Sequence, residues 1–238
     1  MFEIRNLAFS YGRSPVLRDV SFLVSPGETV SVVGANGAGK TTLLRILATL
    51  AVPDSGTVMT DGQDALARPI RYRRQIGYLP EHVALYDDMT VKEFLAYRAL
   101  LKGEPPKRVR RRMSEAAEIC RVTEFLRTPI RKLSAGLVKR VALADALLLR
   151  PRVLLLDDFL AGMDGGMRAV AGEILASAAA FSSVIVTGHE VADFARWTTR
   201  ILVLKDGVIS AAVDTAGHDA AVLCERVDIA MGVEGGAR

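Results

Sequence analysis

Short apolar runs alternate with stretches of helical periodicity along most of the chain. Three of these runs are almost entirely apolar, as buried strands of a parallel sheet are: Thr29–Val33, Val153–Leu156 and Ser183–Thr187. Helical patterns follow over Thr41–Leu50 and Ala169–Ala179. This alternation predicts an α/β domain, in which helices cover a mostly parallel sheet.

The flanking regions add weaker patterns of the same two kinds. Turn residues stand at Tyr11-Gly12 and Pro26-Gly27, and we expect the last residues, 232–238, to be frayed after a tail that has little pattern beyond Ala216. The further predicted elements are strands at Phe2–Phe9, Val20–Val24, Gly56–Thr60 and Gln75–Tyr78, a helix at Val138–Leu149, and a closing hairpin of Ile201–Leu204 with Gly207–Ala212.

The middle of the chain has a different character. Thr90 and Glu93 have the spacing of a capping box, and apolar residues then recur at helical spacing as far as Gly103. Pro105-Pro106 starts a second helix, which is basic. Because no strand pattern occurs between residues 83 and 128, we predict a helical subdomain inserted in the α/β core, at about residues 83–140.

Composition is that of an ordinary globular protein. The 238 residues are 50% hydrophobic and 24% charged, which argues against a disordered, collagenous or disulfide-rich chain. The net charge of +4 is concentrated in Lys107–Arg112 and Arg71–Arg74. A solvated helix face, contact with anionic lipid or an acidic partner, and contact with nucleic acid all remain open for these basic runs.

Targeting signals are not evident in the sequence. Met1–Asn6 carries two charges and no apolar run, so we expect no signal peptide. The longest uncharged stretch, Ile174–Gly188, is shorter than the roughly 20 residues of a membrane-spanning helix. Cys120 and Cys224 have neither metal-ligand nor redox spacing, which is typical of proteins in a reducing compartment.

A phosphate-binding loop stands between a predicted strand and a predicted helix. Residues 34–41 read G-A-N-G-A-G-K-T, a complete Walker A motif. Such a loop turns its backbone N–H groups toward the phosphates, and the following helix adds its dipole. We expect Lys40 to reach the β- and γ-phosphates from a solvated loop, Thr41 to be a magnesium ligand, and Thr42 to support the α-phosphate. The predicted nucleotide-binding residues of this loop are Gly34, Asn36, Gly37, Ala38, Gly39, Lys40, Thr41 and Thr42.

The apolar strand Val153–Leu156 ends at Asp157. In phosphate-loop enzymes an acid at this place holds the magnesium ion, usually through water. The sequence therefore predicts that Asp157 and Thr41 serve one metal site.

Further motifs resemble the ATP-binding subunits of ABC transporters from Phe2 to about Val213. Residues 133–137 (L-S-A-G-L) resemble the signature loop, Tyr11 the adenine-stacking aromatic, and residues 76–81 (I-G-Y-L-P-E) the glutamine loop. Met163-Asp164 resembles the loop that follows the magnesium strand, and residues 187–190 (T-G-H-E) the switch-histidine segment. The form of the glutamine loop, with Leu85-Tyr86 after it, is similar to that of subunits paired with exporter-type permeases.

The resemblance implies a fold and a mechanism. The fold would be a RecA-like phosphate-loop core with an N-terminal antiparallel β subdomain and the inserted helical subdomain. Two subunits would stack head to tail, so that Ser134 and the Gly136 N–H of one contact the γ-phosphate of ATP held by the other. Asp158 and His189 would act on the attacking water, and Glu81 would face the magnesium ion. Closure and opening would drive a transmembrane permease from the cytoplasmic face of the membrane.

The chain departs from the family pattern at several positions. Asp158 replaces a glutamate, which moves the carboxylate back by one methylene group, and misplacement of about 1 Å can cost about 100-fold in rate. Ala135 and Leu137 replace a glycine and a glutamine of the signature, so slow hydrolysis is expected. Phe159 replaces a proline, which we expect to leave that turn less constrained. Glu81 replaces a glutamine but keeps an oxygen for magnesium.

Two functions follow as hypotheses. In the first, the chain is a Mg²⁺-dependent ATPase subunit of an exporter-type permease, peripheral to the membrane. Because the catalytic-acid and signature changes lie in one chain, a homodimer with two slow sites is favoured, as is a subunit whose ATP binding matters more than its turnover. In the second, the chain is a soluble regulatory or assembly ATPase of the same fold. Nucleic acid is not an expected partner in the first hypothesis.

Overall fold

The structure is a computed structural model that describes residues 1–232. It contains one ten-stranded mixed sheet in the order β5-β4-β1-β2-β10-β9-β3-β8-β7-β6. The strands are β1 (Phe2–Tyr11), β2 (Ser14–Val24), β3 (Thr29–Val33), β4 (Ser55–Thr60), β5 (Gln63–Asp64), β6 (Ile76–Leu79), β7 (Val153–Leu156), β8 (Ser183–Gly188), β9 (Arg200–Lys205) and β10 (Val208–Asp214). The helices are α1 (Lys40–Leu47), α2 (Pro69–Arg73), α3 (Val91–Leu101), α4 (Pro106–Ile119), α5 (Ala135–Leu147), α6 (Gly165–Ala179), α7 (Val191–Phe194) and α8 (Ala220–Met231).

The sheet has an antiparallel part and a parallel part. Strands β5, β4, β1 and β2 pair antiparallel, while β9, β3, β8, β7 and β6 pair parallel. Strand β10 connects the two parts, because it pairs antiparallel with β9 and parallel with β2 through Val208 and Asp19. This arrangement confirms the predicted α/β class with its parallel core and N-terminal antiparallel strands.

Two hydrophobic clusters lie on opposite faces of the parallel strands. Alternate residues of β7 show the division, because Leu154 and Leu156 face the cluster that contains α5 and α6, whereas Val153 and Leu155 face the cluster that contains α1. Each strand is thus buried on both sides, which explains its continuous apolar sequence. Packing of the two clusters against the sheet therefore fixes the positions of the carboxyl ends of the parallel strands relative to one another.

Several predicted elements are confirmed, with shifted ends. Helix α5 begins three residues earlier than predicted because Ser134 caps it, and α6 begins at Gly165 because Asp164 accepts the Met167 N–H. Strand β2 begins at Ser14, since its pairing with β1 continues to Tyr11 opposite Ser14. The capping box of Thr90 and Glu93 is present at the start of α3.

The sequence patterns missed four elements. Helix α8 occupies the tail in which no pattern was evident; Asp219 caps it, and only Leu223 and Val227 of its residues are buried. Helices α2 and α7 and strand β5 are short and were not predicted. The expectation of fraying over 232–238 falls almost wholly on residues 233–238, which lie outside the described part of the chain.

Between β6 and β7 the described elements are helical. Helices α3, α4 and α5 fill this segment, with two 3-10 turns between α4 and α5. An ion cluster joins α3 to α5: Arg98 donates two hydrogen bonds to the Asp145 carboxylate, at 3.1 and 3.0 Å, and Lys102 lies 2.9 Å from the same group. Within residues 1–232, no helix is both long enough and apolar enough to cross a bilayer.

Candidate functional site

The phosphate loop connects the carboxyl end of β3 to the first turn of α1. Gly34 is required by close packing, because a Cβ there would lie 2.3 Å from the Leu204 carbonyl oxygen. Gly39 has φ 104°, a conformation that other residues rarely adopt, and a Cβ there would lie 2.8 Å from Leu17. These contacts explain why the loop needs glycine at both ends of the motif.

Lys40 is folded back over its own loop. Its ammonium group donates to the carbonyl oxygens of Gly34 at 2.7 Å and Ala35 at 3.0 Å, and it lies 3.5 Å from Nδ1 of His189. Ala35, Asn36 and Gly37 of the loop are exposed, as expected, but Lys40 itself is only 8% exposed, contrary to the expectation of a solvated charge. Burial lowers the pKa of Lys40, and the Asp158 and Asp157 carboxylates partly offset this effect.

Asp157 lies at the carboxyl end of β7, opposite Thr187 at the end of β8. Its Oδ1 accepts hydrogen bonds from Thr187 at 2.8 Å and from Thr41 at 3.1 Å. Asp157 is 2% exposed. Burial raises the pKa of its carboxyl group, the two hydroxyl groups lower it, and the negative charges of Glu81 and Asp158 raise it further.

Asp158 follows directly and lies at the edge of the same cleft. Its φ is 45°, in the left-handed region, and its N–H donates to the Thr187 hydroxyl over 3.0 Å. Its Oδ2 lies 3.9 Å from Nε2 of His189. The predicted switch histidine, His189, and the predicted catalytic acid, Asp158, therefore face each other.

The next turn, which has Phe159 at the predicted proline position, is held by packing and hydrogen bonds. Phe159 is buried in the core, and the Lys139 ammonium group donates to the carbonyl oxygens of Phe159, over 3.2 Å, and of Ala161. The Asp158 carbonyl oxygen also accepts the Ala161 N–H at 3.1 Å. Packing of Phe159 and these hydrogen bonds therefore restrain a turn that has no proline at position 159.

One cleft of about 410 Å³ brings most of the predicted residues together. Tyr11 forms one wall; it is 51% exposed and packs edge-on against Phe9, with ring centroids 4.8 Å apart. The predicted residues that line the cleft are Tyr11, Asn36, Gly37, Gly39, Lys40, Thr41, Thr42, Glu81, Asp157, Asp158 and His189. Val16 and Thr187 also line it, and neither was predicted. The position of Thr187 at the end of a buried parallel strand was the signal that could have identified it.

Gly34 and Ala38 do not line the cleft, and both act through the loop backbone. The Gly34 carbonyl binds Lys40, and the Ala38 N–H donates to the Ala35 carbonyl at 3.2 Å. Ser134 and Gly136 lie elsewhere, on a separate cavity next to α6. There a Cβ on Gly136 would lie 2.3 Å from the Met167 sulfur. A single chain therefore does not bring the signature loop to its own phosphate loop.

The fold and the site define a phosphate-loop nucleotide-binding protein. The family profile described as ABC transporter matches residues 17–161. The ABC transporter ATP-binding protein YxlF of Bacillus subtilis is 33% identical over 210 residues, which are 88% of this chain and 70% of YxlF. The sulfate/thiosulfate import protein CysA of Methylococcus capsulatus is 38% identical over 170 residues, which are 70% of this chain and 49% of CysA.

Solved structures agree with these matches. The dimeric structure of MJ0796, a bacterial ABC transporter cassette, has a TM-score of 0.80 at 26% identity, with coverage of 92% of this chain and 100% of that one. The chain belongs to the ABC transporter ATP-binding family. ATP hydrolysis coupled to transport is the activity expected of this family of ATPases. The chain spans about half of CysA, so the activity of that whole protein does not transfer.

Proposed function

We propose that this chain binds MgATP in the described cleft and hydrolyses it slowly, as one of two identical subunits that drive an exporter-type permease. The observation that carries the proposal is the hydrogen bond between Thr41 and Asp157, since it joins the phosphate loop to the carboxylate at the end of β7. Tyr11 would stack on the adenine, and Lys40 with the loop N–H groups would bind the β- and γ-phosphates.

Magnesium fits the oxygen atoms present. The Thr41 hydroxyl and the Asp157 carboxylate lie 3.1 Å apart, and both are oxygen ligands of the kind that Mg²⁺ prefers. Among the described residues there is no group of three or more His, Cys, Asp or Glu side chains that could hold a metal alone. Thr41, Asp157 and Glu81 would therefore hold Mg²⁺ together with phosphate oxygens and water, and the ion would neutralise phosphate charge.

Asp158 is the residue that would orient or deprotonate the attacking water. Its carboxylate is 21% exposed at the rim of the cleft, and His189 is close enough to hold the same water or the γ-phosphate. The Thr187 hydroxyl accepts the Asp158 N–H and so fixes the backbone of Asp158. The reach of the carboxylate toward the water is then set by the length of the Asp158 side chain. Slow turnover is the expected consequence of that short reach.

The signature loop would serve the ATP of a second subunit. Ser134 and Ala135 are exposed at the start of α5, away from the cleft. In a head-to-tail pair, Ser134 and the Gly136 N–H would contact the γ-phosphate held by the other subunit. The MJ0796 cassette is named as a dimer, which supports this arrangement. Equivalent defects in both sites then favour a homodimer.

The loop Glu81–Asp88 is the proposed docking surface for the permease, at the edge of the helical subdomain of residues 83–140. Tyr86 is 48% exposed, whereas Leu85 is half-buried against the core. The resemblance of residues 79–81 supports an exporter-type partner, whereas the relative CysA is named for import. The docking would place the chain on the cytoplasmic face of the membrane.

Crosslinking tests the docking proposal. A cysteine at Tyr86 in a variant that lacks Cys120 and Cys224 should form a crosslink to a membrane protein in native membranes. The matched control places the cysteine at Ile229, which is exposed on α8, and should give no such product. Crosslinks from Tyr86→Cys to soluble proteins only would favour a regulatory or assembly ATPase. Transport of substrate in sealed vesicles of known orientation decides the direction.

A further inference from the structure

Lys139 joins two elements of the fold. One is α5, which follows the signature loop and is called the signature helix below, and the other is the turn after β7. Lys139 lies on α5, five residues after Ser134, and its ammonium group donates to the carbonyl oxygens of Phe159 and Ala161. Those carbonyls belong to the turn that begins at Asp158. Lys139 does not line the nucleotide cleft, so it is not placed to bind ATP in its own subunit.

Other contacts also restrain the turn, in which Phe159 and Leu160 are buried. The Asp158 N–H is held by Thr187, and the Asp158 carbonyl oxygen accepts the Ala161 N–H. A second turn follows, in which the Met163 N–H donates to the Leu160 carbonyl at 3.1 Å. Asp158 itself has a left-handed φ of 45°, which an aspartate tolerates better than most residues but which the surroundings must maintain. Loss of Lys139 would leave two carbonyl oxygens without their charged donor.

Two neighbouring carboxylates favour the charged form of Lys139, and burial opposes it. Burial lowers the pKa of its ammonium group, and the Asp158 and Glu81 carboxylates counteract that effect. Lys139 is thus a cation close to two of the three carboxylates of the cleft. Its attraction to Asp158 acts in the same direction as its hydrogen bonds, because both hold the turn against α5.

We propose that Lys139 is a positioning residue that fixes the Asp158 turn and ties it to the signature helix. This inference rests on the proposed function, since Asp158 must act on water for its position to matter. In the head-to-tail pair, α5 carries Ser134 at the ATP of the other subunit, so Lys139 also links the two ATP sites. Movement of the signature helix on ATP binding would then be transmitted to the Asp158 turn.

Three variants of the full-length protein test the kinetic consequence. Lys139→Met removes the donor and charge, Lys139→Arg keeps both, and Lys107→Met is a control at an exposed lysine of α4. Because a displacement of about 1 Å can cost about 100-fold in rate, we expect Lys139→Met to lower kcat by about 10- to 100-fold, with KM for ATP changed by less than about 2-fold. Lys139→Arg should recover most of kcat, and Lys107→Met should match the wild type.

Hydrogen exchange tests the same inference without hydrolysis. The amides of Ala161 and Met163 should exchange faster in Lys139→Met, while those of Val153–Leu156 should be unchanged. Lys139→Gln, which is uncharged and shorter, provides a second variant if the methionine variant does not fold. Wild-type kcat and wild-type exchange in Lys139→Met would overturn the inference. If the wild type hydrolyses no more ATP than a Lys40→Met blank, the proposed hydrolysis fails, and the exchange of Ala161 and Met163 alone decides the role of Lys139.

Discussion

The Thr41 hydroxyl and the Asp157 carboxylate lie 116 positions apart in the chain and are joined by a hydrogen bond of 3.1 Å. Thr41 is fixed by the first turn of α1, and Asp157 by the end of β7. Because α1 and β7 are fixed by the packed sheet, the fold itself holds the two oxygens together. Preorganisation of this kind lowers the entropy cost of binding MgATP.

Replacement of Lys40 should weaken ATP binding without unfolding the protein. Lys40→Met keeps the buried alkyl chain and removes the charge, whereas Lys40→Ala would also leave a cavity in place of that chain. A charged hydrogen bond is worth about 1.5–3 kcal/mol, so we expect a loss of affinity of about 10- to 100-fold. Equilibrium titration with a fluorescent ATP analogue and Mg²⁺ measures the affinity. Lys92→Met, at an exposed lysine of α3, is the control. Unchanged affinity would contradict the assignment of the phosphate loop.

The length of the side chain at position 158 should set the rate of hydrolysis. Asp158→Glu moves the carboxylate toward the water and should raise turnover about tenfold, equivalent to about 1.4 kcal/mol of barrier. Because glutamate fits the left-handed φ of this position less well, the same variant should also melt at a lower temperature.

Asp158→Asn should lower hydrolysis and retain an ATP-bound dimer, since the water loses its acceptor while the binding groups remain. Steady-state phosphate release, with Lys40→Met as the blank, measures the rates of both Asp158 variants. Size-exclusion chromatography with ATP detects the dimer. Equal rates for the wild type and the blank would instead indicate that ATP serves only as a clamp.

The charged carboxylate of Asp157 should lower the free energy of unfolding of the protein without nucleotide at neutral pH. Its pKa is raised by burial, so the folded state disfavours the charged carboxylate relative to the unfolded state. The uncharged Asp157→Asn variant should therefore melt at a higher temperature than the wild type at pH 7, and this advantage should shrink as the pH falls through the raised pKa. Below the unfolded-state value of about 3.9 the advantage should be absent.

Thermal melts of Asp157→Asn and wild type across pH measure this difference, with the exposed Asp214→Asn as the control. The same variant should bind MgATP more weakly, because it lacks the charge that attracts the ion. A lower melting temperature for Asp157→Asn at pH 7 would show that the carboxylate stabilises the empty site.

The ion cluster of Asp145 should stabilise the contact between α3 and α5. Asp145 is 13% exposed and faces both Arg98 and Lys102, so Asp145→Asn leaves two cations without their counter-charge. Breaking a fully buried ion pair costs about 3–5 kcal/mol. Because Arg98 and Lys102 are partly exposed, we expect Asp145→Asn to lower the free energy of unfolding by about 1–3 kcal/mol. Urea denaturation measures the change in the free energy of unfolding.

The matched control for Asp145 is the exposed ion pair of Asp88 with Arg131. The two atoms are 3.0 Å apart, but the Asp88 side chain is 95% exposed. Exposed pairs contribute about 0–1 kcal/mol, so Asp88→Asn should have a much smaller effect. Equal effects of the two substitutions would mean that the burial of Asp145 adds nothing.

Local sequence was sufficient for features whose causes are local. The glycines of the phosphate loop, the Thr90 capping box and the apolar run of β7 each identify an element from a few adjacent residues. The resemblance to a known family added roles for Tyr11 and His189 that the residues alone do not carry. The sequence therefore predicted eleven of the residues that line the cleft, but not Val16 or Thr187.

Only the tertiary structure decided which groups meet. Thr187 bridges Asp157 and Asp158 because β8 lies beside β7 in register, and Lys139 restrains the Asp158 turn because α5 packs next to it. Strand order and helix packing come from burial of apolar surface across the whole chain, which a local pattern does not encode. Helix α8 escaped prediction for the same reason, since it buries only a narrow apolar stripe. The separation of Ser134 from the phosphate loop is likewise a property of the packed fold.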